Sequence, residues 1–294
     1  MKSMLALIQR EYLEHRGAFL YAPLVILALL AVIMFAALGL NRVPMPFEIG
    51  VPSLLTFFEI GFFGMAGLWF AYLLIALFFY YADAFSADRR NNSMFFWKSM
   101  PVSDFKVLSS KMLAGMTIFP ALVFVALILT VVLLYAVIAV GSLTMPQFIV
   151  PSIVDVLAAT WQIGIFALVY LMLGLLWYAP FFAWVGALST IFRRWSIPLA
   201  FLIPGLAALA EKLIIGRDGF RPGQILGYLR DRMAFGMSRQ QMQEVFLADP
   251  QLDAGRLLQG LFASIDWPQL AGGLIVATLL VFVASEYRRR VITT

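Results

Sequence analysis

No cysteine occurs in the chain, and histidine occurs once, as His15. The first absence excludes disulfides, thiolate zinc sites and cysteine nucleophiles. The second excludes paired haem ligands and histidine-rich metal sites. No G-x-x-x-x-G-K-[ST] run is present, so the chain cannot cradle ATP phosphates in the P-loop manner. Charge is scarce too. Asp, Glu, Lys and Arg make up 13% of the 294 residues, while 63% are apolar. A soluble domain averages about 25% charged residues, so a water-facing surface of ordinary size is excluded.

The scarcity is uneven. Residues 17–40, 60–82, 112–154, 156–192, 195–210 and 268–285 contain no charge, and together they hold 161 residues. A crossing needs about 20 apolar residues, and a helix satisfies its own backbone polar groups in lipid. The chain therefore reads as an all-α polytopic membrane protein with spans at 17–40, 58–82, 112–143, 156–192, 195–215 and 268–285. The first run is longer than a signal-peptide core and is expected to be retained. The third and fourth exceed one crossing. Gly141, Pro146 and Pro151 punctuate the end of the third, and Pro180 either kinks or breaks the fourth.

Lys and Arg fix the expected orientation. Thirteen of the 21 lie on the first, third, fifth and last non-membrane segments, against Arg42 alone on the short opposite loops. Both termini are thus expected in the cytoplasm. The remaining seven, from Lys212 to Arg256, sit at or in a long loop, where charge directs topology less. The basic pI of about 9.6 fits anionic lipid headgroups rather than nucleic acid.

The expected division is an interfacial helix at 1–16, five spans over 17–215, an extracytoplasmic loop at 216–267, and a last span with a basic cytoplasmic tail at 268–294. In the first segment Leu5, Ile8 and Tyr12 share a helical face, while Gln9, Arg10, Glu14 and Arg16 surround the rest. That pattern suits a helix lying in the interface and turning into the first span near Gly17, or an ordinary charged flank. The long loop predicts short helices near 224–235, 239–247 and 251–263. Ser238 with Gln241 forms a capping box, and Asp249 precedes Pro250. About fifty residues make a poor independent core, so this module should rest on span ends or on a second copy.

The segment 83–111 carries the functional argument. It includes Asp88, Arg89, Arg90, Asn91, Asn92, Ser93, Met94, Phe95, Phe96, Trp97 and Lys98; Pro101 then ends the helix and Ser103 caps the next. Four consecutive bulky apolar residues point in all directions on a helix, so one membrane face cannot cover them. They fit a docking surface for a partner protein. The same composition also fits an interfacial aromatic belt.

In layout the chain resembles the permease subunits of ABC-2-type ATP-binding-cassette transporters. Ser99, Met100, Pro101, Val102 and Ser103, with Lys111 downstream, match the small-residue/Pro-Val-Ser turn and lysine of those proteins. Where many members carry an acidic-basic-Gly-Thr run, this chain has residues 88–93 instead. The resemblance implies a type-2 exporter-like fold of six spans, an N-terminal interfacial helix and a cytoplasmic coupling helix. It also implies that residues 88–98 dock a separate ATPase, which binds ATP and Mg, and that a second permease copy completes the unit. No cofactor is expected in this chain. The implied location is the bacterial inner membrane.

Charge within the crossings is confined to span ends: Glu59 in the second, and Glu211 with Lys212 in the fifth. Phe58, Glu59 and Phe62 could line a translocation path, or could be packing and interface groups. Gly61, Gly64 and Gly67 recur every three residues and would let another helix approach closely. So little buried charge disfavours proton or sodium coupling and suits amphipathic cargo. An intramembrane enzyme is the contrasting reading. The chain lacks H-E-x-x-H, a serine–histidine pair within the spans, and two intramembrane aspartates. A purely structural membrane subunit is a third.

Overall fold

In the computed structural model, the structure describes residues 2–40, 53–90, 103–144, 150–215, 224–236 and 253–291. All regular structure among them is helical: α1 Lys2–Arg16, α2 Ala22–Gly39, α3 Leu54–Arg90, α4 Asp104–Met116, α5 Ile118–Thr144, α6 Ile153–Phe192, α7 Ser196–Ile215, α8 Gln224–Met233, α9 Ala254–Ser264 and α10 Trp267–Val291. Among the described residues, five helical stretches are long and apolar enough to cross a membrane: Met4–Gly39, Leu54–Asp88, Asp104–Leu143, Ile153–Ile214 and Trp267–Arg290. The protein is a multi-pass, all-helical membrane protein.

Helix α6 packs most extensively against α3 and α10. Its buried residues include Gly164, Gly174, Ala179, Ala183, Gly186 and Ala187. Apolar lipid offers helices no hydrophobic incentive to associate, so close approach over small residues supplies the attraction. A methyl group added at Gly186 would meet the Phe85 ring of α3 at 2.9 Å. Ser152 starts α6 by accepting from Asp155 N at 3.1 Å, and the helix runs for 40 residues through Pro180. Pro180 therefore does not break it. At 1.5 Å per residue α6 is about 60 Å long, twice the hydrocarbon thickness.

One connection lies where expected and another differs. Helix α1 passes through a π-helical turn, Gly17–Tyr21, directly into α2, so the junction falls near Gly17. The third stretch begins earlier than its charge-free run, at Asp104, and is interrupted at Thr117. Pro120 explains the position, since it cannot donate to the carbonyl four residues back, at Met116. Beyond α6, Arg193 takes a positive φ of 52° and a short 3-10 turn, Arg193–Trp195, leads into α7. Helix α7 folds back on α6, where Trp184 Nε1 donates to Ala200 O at 3.4 Å.

Of the long loop's predicted helices, those near 224 and 251 are present as α8 and α9, while the one at 239–247 and both capping signals lie outside the described residues. Helix α9 rests on the far part of α6. Leu257 and Leu261 pack with Phe166 and Trp177, and Ala254 N donates to Gln162 Oε1 at 3.2 Å.

Candidate functional site

Helix α3 ends at Arg90 and α4 begins at Asp104, and the flanking residues Asp88 and Asp104 meet one buried arginine. Asp88 is 2% exposed, and its Oδ2 accepts from Arg288 Nη1 of α10 at 2.9 Å. The same guanidinium reaches Asp104 across the gap, with Nε 2.7 Å from Oδ1. One arginine of the last helix thus joins the residues on either side of 89–103. Ser103 caps α4 by accepting from Lys106 N, as its sequence position predicts.

Lys111 extends the cluster to α1. It is fully buried, its Nζ lies 2.8 Å from Glu11 Oε1, and it is 3.8 Å from Asp88 Oδ1. Tyr80 of α3 donates to Glu11 Oε2 and lies 3.1 Å from Lys111 O. Arg10, on the rim, is 3.9 Å from Asp88 and 2.7 Å from Glu14. Above this layer an aromatic collar closes off the core: Phe19 stacks on Phe119 at 3.9 Å, and Tyr80 meets His15 edge-on at 4.7 Å. Four helices, α1, α3, α4 and α10, are therefore joined at one point.

Buried ions are costly to desolvate, and only close pairing offsets that cost. Here three acids, Glu11, Asp88 and Asp104, face Lys111, Arg288 and Arg10, so opposite charges alternate through the cluster. Glu11, Glu14 and His15 also come within 4.8 Å of one another, a spacing that could hold a cation. Lys111 and Arg10 already neutralise the two carboxylates, which leaves little for a metal to gain.

Of the expected docking residues, Asp88 lies in the cluster, and Arg89 and Arg90 complete α3, their side chains being outside the described set. Asn91, Asn92, Ser93, Met94, Phe95, Phe96, Trp97 and Lys98 lie outside the described residues. Phe58 and Phe62 are 1% and 0% exposed and belong to the main core with Trp69 and Leu73. Glu59, 8% exposed, sits beside them. Among the described residues, nothing lies within 4 Å of a methyl group added at Gly64 or Gly67, so no described helix approaches closely there. Gly67 instead borders an apolar cavity of about 260 Å³ between α3, α5 and α6.

Glu211 is not a free interface group: its carboxylate caps α8, accepting from Gln224 N at 2.6 Å and Ile225 N at 2.9 Å. Helix α8 also carries Arg232, 1% exposed, which composition alone assigns to a solvated loop. Glu11 and Arg288 were equally unmarked by type. The available signal was position: Glu11 follows Leu7 by one helical turn, and Asp104, Leu108 and Lys111 share one face of α4. No protein family matches the chain, and no curated protein or solved structure does either.

Proposed function

We propose that this chain is the membrane-spanning permease subunit of an ABC-2-type transporter, an exporter driven by a separate ATPase. The observation that carries the reading is Arg288 held between Asp88 and Asp104. A segment that receives force from a partner must be fastened at both ends to the helices that move, and this pairing fastens it. Closure of the ATPase would press on residues 89–98, and the charge cluster would pass the displacement to α1, α4 and α10.

In this reading the chain crosses six times. The stretch Ile153–Ile214 counts as two crossings, because its 62 residues make about 93 Å of helix and the turn at Arg193–Trp195 divides it. Both termini, the charge cluster and Arg193 then face the cytoplasm of a bacterial inner membrane. The chain itself is no enzyme; ATP and Mg belong to the ATPase, and a second permease copy completes the pathway. Co-purification with a candidate ABC ATPase tests the reading. Replacing Phe95, Phe96 and Trp97 with Ala should abolish capture while the permease remains folded. Capture at the wild-type level would count against it.

A further inference from the structure

Among the described residues, Arg232 is buried with no carboxylate in contact. It is 1% exposed at the end of α8, and its side chain is held by neutral groups. Nη1 donates to Gln269 O at 3.0 Å, Nη2 to Trp177 O at 3.1 Å, and the guanidinium carbon lies 4.0 Å from the centre of the Trp177 ring. The rest of the segment is clamped as well: Trp177 Nε1 donates to Arg232 O at 2.8 Å and Tyr178 to Met233 O at 2.6 Å. Gly273 of α10 makes room, since a methyl group there would collide with Nη2. Nε has no hydrogen-bond partner. Asp266 acts on the charge only from farther away, and its own carboxylate caps α10 by accepting from Gln269 N at 3.0 Å. Desolvation lowers the Arg232 pKa from its ordinary value, yet arginine remains a cation at any physiological pH.

Beside Arg232 lies a cleft of about 880 Å³ between α7 and α10, floored by α6 and roofed by α8. That volume is within the range of about 300–1,000 Å³ typical of ligand sites. Phe181, Trp184, Phe201 and Leu280 make it strongly apolar, and Arg230 joins Arg232 at the α8 end. Along α10 it extends from Gln269 to Leu280, about 16 Å, or half a hydrocarbon core. Added methyl groups at Gly205 and Gly272 would meet nothing, so the cleft reaches the helix backbones. Phe201 and Val276, 61% and 48% exposed, mark its lateral opening.

We infer that this cleft binds an anionic membrane lipid, with an acyl chain along α6 and the anionic headgroup at Arg230 and Arg232. Charge complementarity selects the occupant. A desolvated cation with no described carboxylate in contact favours an anion, while the walls are apolar. A lateral opening on the apolar belt admits a molecule from the bilayer. The binding needs no ATPase, so it stands apart from the transporter reading.

Native mass spectrometry of the detergent-purified chain, supplied with dioleoyl phosphatidylglycerol, dioleoyl phosphatidylcholine or oleate, tests this. One phosphatidylglycerol per chain should be retained with about tenfold preference over phosphatidylcholine, the scale of a single charge-assisted contact. Arg232→Gln should erase the preference, and Gly272→Phe, which fills open space, should remove the bound lipid without touching Arg232. Thermal unfolding checks that each variant is folded; if Arg232→Gln is not, Arg230→Gln and Gly272→Phe decide. Equal retention of both phospholipids, retention of oleate alone, or a preference unchanged by Gly272→Phe would overturn the inference. The last result would place the anionic lipid elsewhere, for example at the basic end of α10.

Discussion

Arg288 and Arg232 are each about 1% exposed; Arg288 belongs to α10, and Arg232 meets that helix at Gly273, fifteen residues or about 22 Å away along its axis. Arg288 sits between two carboxylates. Arg232 sits between two carbonyls and an indole. The same side chain is used in two ways. Where its charge meets carboxylates, it fixes helices to one another; where no described carboxylate touches it, it borders an open apolar space.

The largest expected effect breaks the carboxylate-paired set. Asp88→Ala leaves Arg288 and Lys111 buried with less opposing charge and should cost about 3–5 kcal/mol, seen as a large fall in the thermal unfolding midpoint. Lys111→Met should cost a similar amount by stranding Glu11. Adding Glu11→Gln to Lys111→Met should recover part of the loss, because the orphaned charge is then gone. Arg232→Met should cost less, about 1–2 kcal/mol. It forfeits a desolvated cation–π contact and two hydrogen bonds, but it also removes a charge with no described carboxylate in contact. If it proved as costly as Asp88→Ala, the two regions would not differ as described.

Neighbouring glycines sharpen the contrast at smaller scale. Gly273→Ala drives a methyl group into the guanidinium and should destabilise by about 1–3 kcal/mol. Gly272→Ala meets nothing and should be neutral or stabilising by up to about 1 kcal/mol. The smallest effect belongs to Glu286, which pairs with Arg289 at 2.8 Å on the surface. Glu286→Gln should change stability by about 0.5 kcal/mol or less, and raised salt should erase even that.

Much of this architecture is legible in the sequence because membrane burial forbids charge over whole stretches, and those stretches can be counted. The capping role of Ser103 and the helices near 224 and 251 follow from local patterns, whereas Pro180 leaves the continuity of α6 open. The break at Thr117 is local as well, since it needs only Pro120 and the carbonyl that Pro120 cannot serve. The charge cluster is not local. Asp88 and Arg288 lie 200 residues apart, and Lys111 and Glu11 lie 100 apart. Each alone resembles an ordinary span-end charge. Arg232 was hidden for a different reason. A loop cation and a buried cation are identical by composition, and only the Trp177 ring and the space at Gly273 distinguish them.

The central claim is that the segment fastened by Arg288 receives an ATPase, and the lack of native cysteine makes it directly measurable. A single cysteine replaces Lys98, or Leu213 of α7 as a control, and each carries a photoactivated cross-linker during co-expression with a candidate ABC ATPase. The account predicts an ATPase cross-link from Lys98→Cys and none from Leu213→Cys. No adduct at Lys98→Cys, or one at Leu213→Cys, would contradict it.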